Sequence, residues 1–261
     1  MPNAREITCT VKSKVWLTPT VFSLSFEPSR RFKFEAGQFL SIVVPLPFVP
    51  PGSGSRLRRI YSFACGPGQG YELCVKQTQG PGTSYLASLK PGDVFGATAP
   101  YGDFVHEPRA ERGVCLVSTG TGIAPFRSMM FSERFWDEPP TQCLSLFGAS
   151  TEQEIIYPEG FSHIGVQTVN ALSKAGPDWT GFRGRVTDFL ASLPPDWGWT
   201  TTDFYMCGNG EMVRSVAALL RSRGVAPTAI HQEAYFGKAP AAVNSLPASV
   251  PDASAAKRKA A

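Results

Sequence analysis

The hexapeptide Gly120-Thr121-Gly122-Ile123-Ala124-Pro125 follows the apolar run Val114-Cys115-Leu116-Val117, a pattern of short strand, tight turn and helix start. Gly120 and Gly122 let the backbone turn sharply and approach a ligand with no Cβ in the way, and Pro125 is tolerated in a first helical turn. Such a helix start presents unpaired N–H groups and a partial positive charge, the chemistry that receives a phosphate. Taken alone, the same residues serve equally as an ordinary strand-to-helix connection.

Other clusters add to it. Arg59 and Tyr61 alternate along Arg58-Arg59-Ile60-Tyr61-Ser62-Phe63, which puts a cation and an aromatic plate on one strand face roughly 7 Å apart. Together they can hold a phosphate and stack on a ring system; a surface arginine beside a half-buried tyrosine is the plainer alternative. Gly80-Pro81-Gly82-Thr83-Ser84 precedes the apolar pattern Tyr85, Leu86, Leu89. It reads as a second anion nest at a helix start, with Thr83 or Ser84 able to cap it, or as a plain cap. Cys207-Gly208-Asn209-Gly210 ends a further apolar run, where a lone cysteine reads as structural.

The elements that must position these residues fall into two halves. Ile7–Lys12, Val21–Phe26, Gly37–Val44, Arg58–Phe63 and Tyr71–Lys76 are short alternating or β-branched runs between Gly/Pro turns, which argues for an antiparallel sheet or closed barrel. A flexible loop spans Pro45–Ser55. Beyond a linker near Phe104–Arg112, strands alternate with helices, the mark of a parallel sheet with crossovers. Strands are expected at Val114–Ser118, Cys143–Gly148, Val166–Ala171, Phe204–Gly208 and Ile230–Phe236, and helices at Pro125–Trp136, Arg185–Ser192 and Glu211–Arg223. In such sheets ligands sit beyond the carboxyl ends of the strands, where Thr119–Gly122 and Cys207–Gly210 both fall.

The 261 residues suffice for two domains, and 43% hydrophobic with 18% charged content is that of a globular protein. Six cysteines occur without a Cys-x-x-Cys pair, so neither a zinc site nor an iron–sulfur cluster, and no other metal, is expected. A net charge of +4 lacks the dense basic stripes of nucleic-acid binders. No apolar run approaches the roughly 20 residues that span a bilayer, and MPNAREITC has no signal-peptide core, so a cytoplasmic location is expected.

Arg59-Ile60-Tyr61-Ser62, the Gly80–Ser84 turn, Gly120–Pro125, Cys207–Met212 and Glu233–Tyr235 together resemble, in order and spacing, the ferredoxin–NADP reductase family. The likeness runs from Ile7 to Phe236, and GTGIAPFRS is close to the plant-type members. It implies a two-domain flavoprotein: an antiparallel Greek-key β-barrel over 5–108 that holds FAD, then an α/β doubly wound parallel sheet over 112–236 that holds NAD(P). Residues 237–261, rich in Ala, Pro and Ser, are expected to form a disordered tail.

By that resemblance Arg59 would pair with the flavin pyrophosphate, Tyr61 would stack on the isoalloxazine, and Ser62 would hydrogen-bond near flavin N5. Gly82, Thr83 and Ser84 would donate to the pyrophosphate, and Lys76 would lie near the nucleotide or the electron-transfer partner. Thr121, Gly122 and Pro125 would hold the coenzyme pyrophosphate. Gly208 and Asn209 would let the dinucleotide lie against the backbone. Cys207 would border nicotinamide and flavin, and Tyr235, or Phe236 in the neighbouring register, would cover the flavin. Ser62, Cys207, Glu233 and Tyr235 form the expected catalytic set.

Plant-type members stack a tyrosine on the FAD adenine where this chain has Gly80, which keeps FMN open as the second choice after FAD. Ser173, Lys174, Arg183 and Arg185 fall at or near the positions implied for 2′-phosphate contacts, which favours NADPH over NADH. The next electron carrier must be a separate molecule: a ferredoxin, a flavodoxin or an oxygenase component. Arg30, Arg31, Lys33, Arg56 and Arg58 are candidates for a basic docking surface. A free-flavin or ferric reductase is the other enzyme reading, and a monomer is expected.

Overall fold

A computed structural model describes residues 4–49 and 57–235. Phe236, Arg56, the 237–261 tail and most of the second half of the Pro45–Ser55 loop lie outside the described residues.

The first half is a six-stranded antiparallel sheet of β1 (Arg5–Thr18), β2 (Val21–Pro28), β3 (Phe39–Val44), β4 (Leu57–Ser62), β5 (Glu72–Lys76) and β6 (Val94–Tyr101), in the order β4-β3-β6-β1-β2-β5. The last strand inserts between β1 and β3, and the two edges meet where Phe63 bridges Leu73, closing the barrel. Strand β6, Val-Phe-Gly-Ala-Thr-Ala-Pro-Tyr, carries no alternation to betray it. It pairs on both sides and packs small residues, so its period vanishes. Phe22, Phe26, Phe63 and Phe95 fill the interior, each side chain contributing roughly 1.5–3 kcal/mol by leaving water. Helix α1 (Pro81–Ser88) lies against the barrel.

The second half is an all-parallel sheet of β7 (Gly113–Thr119), β8 (Cys143–Ala149), β9 (Gln167–Leu172), β10 (Phe182–Arg183), β11 (Thr202–Asn209) and β12 (Ile230–Tyr235). Its order is β10-β9-β8-β7-β11-β12, so the chain reverses direction of progress between β7 and β11. That is the topological switch point, where a crevice opens beyond the carboxyl ends. Helices α2 (Ile123–Met130), α3 (Glu133–Asp137), α4 (Val186–Ser192) and α5 (Gly210–Ser222) complete this half. One core lies on each face; the one containing Leu116, Phe126, Tyr205 and Cys207 also takes in Val21, Ala64 and Cys74 of the barrel.

One expectation is corrected here. The helix foreseen over Pro125–Trp136 stops at Met130, because Phe131 leaves helical geometry and Ser132 is extended before α3 begins. The Phe131 carbonyl thereby becomes available to the barrel, whose Gln69 Nε2 donates to it at 3.2 Å. His106, in the linker segment, is buried: its ring packs 4.4 Å from that of Phe135 and 5.6 Å from that of Tyr205. Burial pushes its pKa down to about 4, with Arg134 and His231 adding to the effect. No helix of the described residues is long and apolar enough to cross a membrane.

Candidate active site at the junction of barrel and parallel sheet

A cavity of about 540 Å³ opens at the switch point, within the range of small-molecule sites. Thr119, Gly120, Thr121, Gly208 and Asn209 line one wall, and Thr18, Thr20, Val21 and Lys76 of the barrel line the other. Gly120–Gly122 forms a single tight turn before α2, so Pro125 is the third residue of that helix, where a missing N–H costs nothing. Gly122 lies so close to the Cys207 carbonyl that a Cβ there would overlap it. Gly208 has φ +135°, and a side chain would press on Thr119 Oγ1. Thr119 Oγ1 accepts from the Asn209 N–H at 3.0 Å, stitching β7 to β11.

Asn209 does more than line the wall. Its Oδ1 accepts from the N–H groups of Glu211 at 2.8 Å and Met212 at 3.3 Å, capping α5. The side chain is spent on the helix, as the backbone N–H is on Thr119.

On the barrel, Arg59 and Tyr61 do share a face, and both touch the start of α1. A Cβ on Gly82 would sit 2.6 Å from Arg59 Cγ and 2.9 Å from Tyr61 Oη. The N-cap of α1 is Gly80, with no side-chain cap. Thr83 and Ser84 do not cap the helix as foreseen. The Thr83 hydroxyl lies 3.0 Å from the Gly80 carbonyl and 2.8 Å from Thr78 Oγ1, and the Ser84 hydroxyl donates to the Thr78 carbonyl at 3.3 Å. The Ser84 N–H is itself bonded to the Gly80 carbonyl at 2.9 Å. The open donors are therefore the N–H groups of Gly82 and Thr83.

The four residues of the expected catalytic set converge from three strands. Ser62 ends β4; Cys207 and Glu233 are register partners on β11 and β12; Tyr235 ends β12 and lines the cavity. Ser62 Oγ and Tyr235 Oη are 2.9 Å apart. Burial pushes the Glu233 carboxyl up to about 7 against a smaller downward pull from the Ser62 hydroxyl, and its Oε2 is buried without a partner. Burial also raises the Cys207 thiol far above neutrality, so the sulfur stays protonated and is no thiolate nucleophile. The Tyr235 phenol is raised by burial, then by Cys207 and Glu233.

Of the four residues proposed around a 2′-phosphate, Ser173 and Arg185 line the cavity. Arg185 is the N-cap of α4, its own N–H held by Asp188 Oδ2 at 2.7 Å. Arg183 donates to the carbonyls of Pro177 at 2.8 Å and Trp179 at 2.7 Å, bracing the 175–179 loop. Lys174 is not among the lining residues, and its N–H bonds to the Ser150 carbonyl. Among the basic residues considered for docking, Arg31 pairs with Glu27, and Arg58 donates to Thr98 Oγ1 and pairs with Glu6. Sequence reasoning missed Thr18 and Thr20, which form the turn between β1 and β2 and carry no phosphate-binding pattern. It also missed Arg127, described below.

The residues present fit a flavin dinucleotide. The backbone of Gly82 lies directly against the Arg59 stem and the Tyr61 phenol, so close that a side chain there would collide with both, which sets two free helix N–H donors beside a cation and an aromatic ring. The partnerless Glu233 Oε2 beside Ser62 is a polar atom that a bound group or water would satisfy.

Residues 116–218 match the family described as Oxidoreductase NAD-binding domain. Ferredoxin–NADP reductase B of Sorangium cellulosum is 33% identical over 234 residues, covering 84% of this chain and 93% of that protein. The flavohemoprotein of Bacillus subtilis is 29% identical over 231 residues, covering 83% of this chain and 55% of its own length. Among solved structures, a cytochrome P450 reductase from Amycolatopsis superposes with a TM-score of 0.76 at 26% identity, over 88% of this chain and 70% of that one. A ferredoxin NADP+ reductase from Neisseria gonorrhoeae with bound FAD and NADP superposes at 0.73 and 20% identity, over 90% and 99%, a likeness of fold.

Proposed function

The chain belongs to the ferredoxin–NADP reductase family of NAD(P)H-dependent FAD oxidoreductases, and from that premise we propose that it takes reducing equivalents from NADPH and delivers electrons singly to a separate ferredoxin or flavodoxin. The observation that carries this reading is the convergence of Ser62, Cys207, Glu233 and Tyr235 where the barrel meets the nucleotide cavity. When bound, FAD accepts a hydride from the nicotinamide and gives up its electrons one at a time.

The chain's own residues bind, orient and move a proton. Arg59 and the N–H groups of Gly82 and Thr83 hold the flavin pyrophosphate, and Tyr61 supplies the stacking plate. The turn Gly120–Gly122, the first turn of α2 and Lys76 hold the coenzyme phosphates. Ser173 and Arg185 receive the 2′-phosphate, which favours NADPH over NADH. Ser62 orients its hydroxyl toward the reacting centre, and Glu233 holds a proton near neutral pH that it can deliver at that hydroxyl. Tyr235 closes the site when no nicotinamide occupies it. The protein acts as a monomer in the cytoplasm.

A second reading, the reductase component of an oxygenase, is supported by the 26% identity to the Amycolatopsis cytochrome P450 reductase. One experiment tests the core of both: mix purified protein with NADPH and NADH separately, follow the flavin spectrum, and identify the released flavin. Rapid bleaching by NADPH with FAD released supports the proposal; no bleaching by either coenzyme sinks it. Raising ionic strength should slow reduction of an acidic protein carrier while sparing a small dye, and equal slowing would remove the docking of an acidic partner.

A further inference from the structure

Helix α2 touches both halves of the molecule. Gly122, immediately before it, lies against the Cys207 carbonyl. Five residues on, roughly 7.5 Å along a helical path, Arg127 reaches the barrel. Its Nη1 donates to the Ala64 carbonyl and pairs with Glu72 Oε2 at 3.4 Å. Ala64 is two residues past Ser62.

The guanidinium is held from several sides. It lies 4.6 Å over the ring of Tyr157 and 5.1 Å from that of Phe131. Glu72, which orients it, accepts from Ser23 Oγ at 2.7 Å and from Tyr157 Oη at 3.2 Å. Both partners are three-quarters buried or more, so solvent screens the pair little. A planar fork stacked on an aromatic ring has no equivalent in lysine.

The chain itself connects Ser62 to Cys207 only by a long way round, through β5, α1, β6 and the whole linker before β7. Besides the Ser62–Tyr235 hydrogen bond, which joins β4 to the strand paired with β11, a second route runs through Ser62, Ala64, Arg127, α2, Gly122 and Cys207. We propose that Arg127 is a positioning residue that sets the spacing of Ser62 and Cys207, and so the approach of nicotinamide to flavin, without touching either ring. This rests on the reading of Ser62 and Cys207 as bordering the reacting atoms. A misplacement of about 1 Å in such a geometry costs on the order of 100-fold in rate.

The test compares wild type, R127A and R127K as full-length, flavin-loaded protein, each also carrying spin labels at V94C on the barrel and S222C on α5, both exposed positions. In R127A the interlabel distance distribution should broaden, and the stopped-flow rate of flavin reduction should fall at least tenfold, with the Kd for NADP+ within about threefold of wild type. R127K should recover little, and added guanidinium at non-denaturing concentration should restore part of both readouts. An unchanged distance distribution, or an unchanged reduction rate, overturns the proposal. If R127A does not fold, E72Q, which removes the charge that orients Arg127, is judged by the same two outcomes. If wild type is not reduced by either coenzyme, the functional reading fails by itself, while the distance arm still decides whether Arg127 sets the spacing.

Discussion

Ser62 Oγ and Tyr235 Oη lie 2.9 Å apart although 173 residues separate them in sequence. The bond joins the end of β4, on the barrel, to the end of β12, the last strand of the parallel sheet. Tyr235 also lines the nucleotide cavity. On the proposed binding mode a nicotinamide ring that reaches Ser62 would displace the phenol and break this bond, so closed tyrosine and bound nicotinamide would compete. Tyr235→Ser should tighten NADP+ binding by about tenfold, the measure of one lost competing contact of roughly 1.4 kcal/mol. Turnover should fall as release slows. Equilibrium titration of NADP+ against wild type and variant checks this, and an unchanged Kd would show that the ring is not in the way.

Glu233 makes the fold sensitive to pH near neutrality. Its folded pKa of about 7 lies above the ordinary carboxylate value, so the folded state binds the proton more tightly than the unfolded chain. The stabilisation is fully present below the unfolded pKa of roughly 4.3 and is lost as pH rises through about 7. Glu233→Gln cannot ionise and escapes that loss. Relative to wild type, the variant should gain on the order of 1–3 kcal/mol between pH 5 and pH 8, read from urea midpoints at the two pH values. Parallel midpoints across that window would show that the carboxyl titrates like an exposed one.

Much of this site was legible because its chemistry is local. Gly120–Pro125, Arg59 with Tyr61, and Cys207-Gly208 are each contiguous, and although each alone has a plainer reading, their order along the chain resembles the motif set of one family. Arg127 was not legible: an arginine on a helix carries no signal, and its partner Glu72 lies 55 residues away on another sheet. Ser84 misled for the opposite reason, since its N–H and hydroxyl, nominally free at a helix start, are used by the backbone of the preceding turn. Arg183 and Arg185 looked equivalent in sequence. Only the fold shows that one lies in the two-residue strand β10 and braces a loop while the other begins α4 at the cavity. His106 was hidden by tertiary packing alone, in a linker whose composition suggests surface.

That distinction between two arginines separates their predicted effects. Arg185→Ala should raise the Kd for NADPH about tenfold or more while leaving NADH nearly unchanged, because a charge-assisted bond to the 2′-phosphate is lost and NADH has no such group. Arg183→Ala removes bonds to the Pro177 and Trp179 carbonyls and should instead lower thermal stability, with both coenzymes affected alike. Binding titrations with each coenzyme, beside a melting curve, separate the two. Equal losses for NADPH and NADH in Arg185→Ala would remove this residue from coenzyme choice.

Gly82 offers the sharpest test of where the flavin is held. A methyl group there would stand 2.6 Å from Arg59 Cγ and 2.9 Å from Tyr61 Oη, closer than real side-chain contacts allow, so both residues must shift. Neither is buried in the barrel core: Arg59 is exposed and Tyr61 half-buried, so the fold can absorb the shift at small cost in stability. A flavin held as proposed cannot absorb it, because the residues that must shift are the Arg59 and Tyr61 that would hold its pyrophosphate and ring. Gly82→Ala should therefore purify with at most about a tenth of the wild-type flavin content, equivalent to roughly 1.4 kcal/mol or more of lost binding. Its apoprotein melting temperature should match that of wild-type apoprotein, and NADP+ binding, carried by the other half, should persist. Full flavin occupancy in Gly82→Ala would place the pyrophosphate elsewhere on the barrel.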